Sequence, residues 1–185
     1  MPVFHFFSSK QKINNAVDGI WLIPNFATND ECNAIIHKIE SSGFKPARQY
    51  KEGRHNKEAF MAEDEIAVLL LSKFSKIILK DGSDKLNITQ FSKPLEFYKY
   101  EEGDFIKRHS DAPREISPGI FSSLTLVLYL NDDYAGGETF FNEKNYKTKP
   151  QTGAVLIFKQ ALHHEALMVN KGMKYVLRTN CFLGK

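Results

Sequence analysis

The segment SSLTLVLYLNDDYAGGETFF, residues 122–141, decides the fold of this 185-residue chain. Its first nine residues are rich in Leu, Val, Thr and Tyr, which fit the pleated surface of a β-strand. The runs NDD at 131–133 and AGG at 135–137 supply turn residues, and the apolar stretch 138–141 follows them. The pattern predicts two β-strands joined by a turn.

The same pattern of short apolar runs and turn residues continues on both sides of this segment. Short apolar and aromatic runs separated by Gly, Pro, Asn and Asp predict further strands at 19–24, 94–101, 105–109, 153–158, 161–166 and 173–183, beside 122–130 and 138–141. Several short strands at this spacing are typical of an antiparallel sandwich or barrel.

The first half of the chain predicts two helices. Thr28 or Asn29 can cap the first, whose apolar residues follow at helical spacing until Gly43. A second apolar stripe predicts a helix from about Glu63 to Leu79, ended by 81–82. We therefore expect an α+β, mainly β fold, with helices packed outside a β core.

Composition sets the general class of the protein. Hydrophobic residues make up 42% and charged residues 25%, which is ordinary for a globular domain and argues against disorder. No apolar run reaches the length of a membrane-spanning helix, and residues 1–10 do not resemble a secretory signal. Two cysteines allow one disulfide at most, so we expect a reducing, cytoplasmic setting.

The net charge of +3 is unevenly distributed along the chain. Residues 144–185 hold eight basic residues and one acid, Glu165. Such a basic end fits either an anionic partner or a solvated lysine surface, and charge alone leaves both open.

The chemically informative residues are His109, Asp111 and His164. Residues two apart on a strand point to the same face, so His109 and Asp111 can present two metal ligands side by side. With a histidine from a later strand they match the two-histidine, one-carboxylate set of non-haem Fe(II) oxygenases. Without further support, satisfied polar side chains are the simpler interpretation of these three residues.

A second, independent feature lies on the last predicted strand. Lys174 and Arg178 fall on the same face, together with Val176. A buried cation on a strand needs an anion, and a keto acid bound to the metal would supply a carboxylate. The alternative is a solvated face.

The ordered set of motifs resembles the prolyl 4-hydroxylase-like branch of the 2-oxoglutarate- and Fe(II)-dependent oxygenases. The segments that carry the resemblance are 100–111, 123–131, 136–140, 150–158 and 164–178, within about 85 residues. The resemblance implies a double-stranded β-helix, or jelly-roll. It also implies one dioxygenase domain over 1–185, with a motif-bearing core at about 94–183.

The resemblance assigns roles residue by residue. His109, Asp111 and His164 would be the iron ligands and catalytic centre. Lys174 would pair with the distal carboxylate of 2-oxoglutarate and Tyr129 would hydrogen-bond the same group. The resemblance further implies that Arg178 supports the co-substrate or the metal triad and that Tyr100 lines the pocket. The cofactors implied are Fe(II), 2-oxoglutarate as co-substrate, O2 and, less directly, ascorbate.

The second histidine motif leaves one choice of ligand and contains one departure from the family pattern. Adjacent strand residues face opposite sides, so only one of His163 and His164 can point at a metal. The following Glu165 and the ten-residue spacing to Lys174 select His164. The chain departs from the family where glycine and proline usually follow, at Ala166 and Met168, which would reshape the pocket wall.

The resemblance implies hydroxylation of a C–H bond, with release of succinate and CO2, most simply on a prolyl residue of a protein or peptide. The alternatives are hydroxylation of a free amino acid or other small molecule, and a non-catalytic jelly-roll that binds metal or sugar. We expect neither a nucleic-acid nor a membrane partner, and oligomeric state stays open. Loops at 47–60, including Arg54–Asn56, and at 112–121 would select the substrate, although a solvated turn explains 54–56 equally well.

Overall fold

The protein is described by a computed structural model that covers residues 14–47, 53–62, 64–81, 87–149 and 151–184. In these residues lie two helices, α1 (Asn29–Ser42) and α2 (Asp64–Asp81), and a short 3-10 helix, Asn142–Lys144. The strands are β1 (Asn14–Val17), β2 (Ile20–Ile23), β3 (Lys45–Pro46), β4 (Lys57–Met61), β5 (Ile88–Phe91), β6 (Leu95–Tyr100), β7 (Ile106–His109), β8 (Glu115–Ser117), β9 (Ile120–Phe121), β10 (Leu124–Tyr129), β11 (Ala135–Gly136), β12 (Thr139–Phe141), β13 (Tyr146–Lys147), β14 (Val155–Lys159), β15 (His164–Ala166), β16 (Val169–Lys171) and β17 (Lys174–Leu183).

The strands form a large sheet and a small one. The major sheet runs β1-β2-β14-β10-β17-β6-β4-β3, with β5 also paired to β17. The minor sheet runs β13-β12-β15-β7, and β11–β16 and β8–β9 form two-stranded pieces. Neighbouring strands in both sheets pair antiparallel. The predicted mainly β, jelly-roll fold with flanking helices is confirmed.

Alternation along the strands separates two cores. Leu124, Leu126 and Leu128 of β10 belong to the apolar cluster that also contains buried residues of both helices. The alternate residues Val127 and Tyr129 belong to a second cluster, which lies between the major and minor sheets. Because side chains alternate with a period of two, each central strand serves both cores.

The ends of α1 follow from its sequence. The Thr28 side chain accepts a hydrogen bond from the Glu31 N–H, and the Glu31 carboxylate accepts one from the Thr28 N–H, which is a capping box. Gly43 follows with φ 82°, a conformation that glycine adopts without strain. In the described part of the chain, neither helix is long and apolar enough to cross a membrane.

The sequence missed several strands and misjudged the bounds of others. β4 has the mixed sequence KEAFM, in which apolar and polar residues do not alternate clearly, so the sequence does not predict it. It pairs with β6 near the edge of the major sheet. The strand predicted at 161–166 begins only at His164, because residues 160–162 form a turn. Helix α2 runs to Asp81, slightly beyond the predicted last residue, Leu79, whereas the predicted first residue, Glu63, and the glycine of the predicted stop at 81–82 lie outside the described residues.

Candidate active site

Three of the predicted site residues meet at the edge of the minor sheet. β7 and β15 pair antiparallel with His109 opposite His164, and the two ring centroids lie 4.4 Å apart. Asp111 follows β7 by two residues, and its Oδ1 lies 3.8 Å from His109 Nε2. One possible ligand atom from each of the three residues lies within 4.8 Å of the others.

Backbone carbonyls fix which ring nitrogen faces the cluster. His109 Nδ1 lies 2.9 Å from the Lys107 carbonyl oxygen, and His164 Nδ1 lies 3.1 Å from that of Leu162. A carbonyl only accepts, so each Nδ1 carries the proton and each Nε2 keeps its lone pair. Burial lowers the pKa of His164 to about 4, which keeps that imidazole neutral near pH 7. Two imidazole Nε2 atoms and a carboxylate fit a divalent metal and leave coordination positions open.

Both oxygens of Asp111 are held by side chains from the major sheet. Thr125 Oγ1 donates to Oδ2 at 2.5 Å, and Arg178 Nη2 lies 3.0 Å from Oδ1. Burial is the largest single influence on the Asp111 carboxyl and opposes its ionisation. The charge of Arg178, the two histidines and the Thr125 hydrogen bond together outweigh burial, and the pKa of Asp111 is lowered. Arg178 therefore contacts the candidate metal carboxylate directly, which is one of the two positions predicted for it.

Lys174 is a buried cation on the same cavity. Its Nζ donates to the Gly137 carbonyl at 2.7 Å and lies 4.6 Å above the Tyr100 ring. Within the described residues, no carboxylate lies within salt-bridge distance of this amine, and burial lowers the pKa of Lys174 to about 7. A cavity of about 420 Å³ is lined both by the three clustered residues and by Lys174. It can therefore take an anion with one end at a metal and the other at Lys174.

The two predicted tyrosines lie at the Lys174 end of this cavity. Tyr100 lines the cavity, whereas the fully buried Tyr129 hydroxyl is hydrogen-bonded to Thr139 and Thr148, at 2.8 and 3.1 Å. Thr139, rather than Tyr129, is the member of this group that lines the cavity. The predicted hydrogen bond from Tyr129 to a co-substrate would require it to exchange one of these partners, and it stays a prediction.

The second histidine motif has the predicted orientation. His163 is exposed and its Nδ1 lies 2.9 Å from Glu143, whereas His164 is buried and faces the cluster. Ala166 lines the cavity wall, and the exposed Met168 offers its carbonyl to the Gly137 N–H at 2.9 Å. A Cβ at Gly136 would lie 2.3 Å from that carbonyl, so this close turn requires glycine.

The mouth of the cavity carries an ion-pair network that the sequence did not predict. Arg54 Nε donates to Asn56 at 2.8 Å and its guanidinium lies 4.5 Å from the Tyr98 ring centroid, so segment 54–56 is not a solvated turn. Arg114 Nη2 lies 2.5 Å from the buried Glu96. Side-chain alternation along β6 could have indicated Glu96, because it lies on the same face of the strand as Tyr100. No sequence pattern predicts the turn that brings Arg114 into contact with Glu96.

Comparisons with known proteins show which sequences and folds this chain is similar to. The family model described as the 2OG-Fe(II) oxygenase superfamily matches residues 95–182. A protein named "Putative prolyl 4-hydroxylase" from Acanthamoeba polyphaga mimivirus is 28% identical over 78 residues, 42% of this chain. An uncharacterized fowlpox virus protein is 29% identical over 117 residues, 63% of this chain. The alignments span only 32% and 27% of those two relatives, respectively.

Solved structures share the fold over most of the chain. A collagen prolyl hydroxylase from Paramecium bursaria Chlorella virus-1, in a 2-oxoglutarate complex, superposes with a TM-score of 0.70 at 21% identity. The match covers 90% of this chain and 97% of that one. A Trichoplax adhaerens prolyl hydroxylase, in complex with a hypoxia-inducible-factor peptide fragment, has a TM-score of 0.66 at 21% identity, covering 89% and 83%. These likenesses show that the chain has a prolyl hydroxylase-like fold, and the match over 95–182 makes that part of it similar to the 2OG-Fe(II) oxygenase superfamily.

Proposed function

We propose that this protein is an Fe(II)- and 2-oxoglutarate-dependent dioxygenase that hydroxylates a prolyl residue of a protein or peptide. The observation that carries the proposal is one cavity lined by both the His109–Asp111–His164 cluster and the buried Lys174. A sugar-binding jelly-roll would need neither the oriented Nε2 atoms nor the buried amine. The reduced state of the buried Cys32 and Cys181 fits the cytoplasm as the proposed compartment.

Each group in the cavity has a task in this reaction. When bound, Fe(II) and 2-oxoglutarate supply the oxygen-transfer chemistry, with release of succinate and CO2. His109 and His164 present Nε2 to the metal, and Thr125 and Arg178 hold the Asp111 carboxylate in place. Lys174 would fix the far carboxylate of the co-substrate. Apolar walls that include Val127, Phe158 and Val176 would limit access of water to the reacting atoms.

The surroundings of the cavity favour a peptide over a free amino acid. Strands β8 and β9 form an antiparallel hairpin that follows the cavity-lining segment 112–114. Its side chains Ile116, Ile120 and Phe121 are 39%, 53% and 55% exposed. Clustered exposed apolar side chains beside a cavity are typical of a binding surface for a chain longer than one residue. The prolyl hydroxylase names of the structural neighbours and of the mimivirus relative support proline as the residue modified.

The test is a mass-spectrometric screen for a product that gains one oxygen atom. Proline-containing peptides, free proline and other free amino acids would be incubated with the protein, Fe(II), 2-oxoglutarate, O2 and ascorbate, and succinate would be measured in parallel. We expect a hydroxylated prolyl peptide that forms only when Fe(II), 2-oxoglutarate and O2 are all present. Omitting ascorbate tests the proposed reductant separately.

Other outcomes of the same screen contradict the proposal in distinct ways. A hydroxylated free amino acid without any modified peptide would retain the reaction and replace the substrate. Absence of succinate with every substrate, together with absence of metal binding, would favour a non-catalytic jelly-roll.

A further inference from the structure

The buried Glu96 of β6 sits between two arginines from different parts of the fold. Its Oε1 lies 2.5 Å from Arg114 Nη2, and its Oε2 lies 3.3 Å from Arg178 Nη1. The Tyr98 hydroxyl also donates to Oε2, at 2.5 Å. Glu96 is only 5% exposed, so these contacts are made where solvent screens charges weakly.

Arg178 connects Glu96 to the candidate metal site. One end of its guanidinium contacts Glu96, and the other lies 3.0 Å from Asp111 Oδ1. The same oxygen lies 3.8 Å from His109 Nε2, so it faces the cluster. A divalent metal held by the cluster would therefore lie near a fixed positive charge, which opposes metal binding unless that charge is offset.

Resting on the proposed function, we propose that Glu96 is a positioning residue for the metal centre. Its carboxylate offsets the charge of Arg178 and holds one end of the guanidinium, so that the other end alone contacts Asp111 Oδ1. The same carboxylate holds Arg114, which immediately precedes the β8–β9 hairpin. The buried Glu96 carboxylate thus contacts Arg114 of the substrate-facing segment on one side. On the other side it contacts Arg178, which holds the candidate metal ligand Asp111.

The test is the affinity of the purified protein for Mn(II), measured by calorimetry without co-substrate or turnover. Glu96→Gln keeps the shape of the side chain and removes its charge, so we expect Mn(II) affinity to fall roughly tenfold. The matched control is Glu58→Gln on the adjacent strand β4, because Glu58 is as buried, with 8% of its side chain exposed against 7%, and pairs with Arg54 instead. The control should stay within roughly twofold of wild type.

The double variant E96Q/R178Q separates positioning from a general loss of structure. If Glu96 acts through Arg178, removing both charges restores Mn(II) affinity to within roughly threefold of wild type, since the uncompensated cation is gone. Arg178→Gln alone completes the cycle.

Two results would overturn the inference while leaving the proposed function intact: wild-type affinity in Glu96→Gln, or a Glu96→Gln loss of equal size with and without Arg178. Absence of Mn(II) binding in the wild type would overturn both proposals.

Discussion

The two faces of the major sheet are built from the same strands and have different roles. One packs against the helices, and the other lines the cavity. On the helix side, Leu126 and Leu177 are fully buried in apolar packing that needs no partner beyond shape. On the cavity side, at positions of opposite parity on the same strands, Thr125, Lys174 and Arg178 carry hydrogen-bonding and charged groups that are also largely buried. The chain thus separates stability from chemistry by side-chain parity.

This separation has an electrostatic side. Most of the buried charges that we describe on the cavity face are paired, as Glu96 with Arg178 and Arg178 with Asp111. Lys174 differs, since within the described residues its amine contacts a carbonyl and two aromatic rings. A buried cation in that state is unfavourable, and a bound anion would relieve the cost. On the cavity face, the proposed co-substrate site therefore lies at Lys174, the buried charge that its neighbours neutralise least.

The largest expected effect comes from removing one of the three candidate metal ligands. His164→Ala should reduce Mn(II) binding and succinate formation to background, because it removes one of three donors. The matched control is His163→Ala, one residue earlier, whose exposed side chain pairs with Glu143 outside the cluster. Calorimetry and succinate release would measure both variants. Retained metal binding in His164→Ala would place the metal elsewhere.

Strand parity also explains how much the sequence could predict. The alternation in β10 and β17, and the two-residue step from His109 to Asp111, are local features, so the sequence predicts the strands and one possible ligand pair. The jelly-roll and the place of His164 in the cluster were implied by the family resemblance. Glu96 and Arg114 lie 18 positions apart and meet only because the chain turns back at the cavity mouth. No spacing rule connects them. The Tyr129 hydroxyl was likewise unpredictable, because its threonine partners come from β12 and the loop after β13.

An intermediate effect is expected from the opposite face. Leu177→Ala should lower the free energy of unfolding by about 2–5 kcal/mol, since it leaves a cavity in the helix-side core. The 2-oxoglutarate KM should stay unchanged well below the melting temperature, because the side chain points away from the cavity. Leu177→Ile conserves volume and should cost less than about 1.5 kcal/mol. A large rise in KM for Leu177→Ala would show that the two faces are not independent.

The smallest effect is a pH dependence that belongs to Lys174 alone. In the free protein burial lowers the pKa of Lys174 to about 7, with Glu138 acting in the opposite direction and the Tyr100 and Tyr129 rings packed nearby. A bound carboxylate favours the charged amine and so raises that pKa. Below about pH 7 the amine is protonated before and after binding, and affinity for 2-oxoglutarate should be insensitive to this group. Above it, binding must take up a proton, and the dissociation constant should rise by up to about tenfold per pH unit.

Calorimetric titration of 2-oxoglutarate into Mn(II)-loaded protein, above neutral pH, measures this slope. Lys174→Arg is the control, since a guanidinium stays charged throughout and the slope should flatten whatever the affinity. An equal slope in wild type and Lys174→Arg would assign the pH dependence to another group. It would also remove the reason to regard the lysine as an incompletely compensated charge. The contrast between the two faces would then rest on the paired charges of the cavity face, because that face would hold no charge that awaits a ligand.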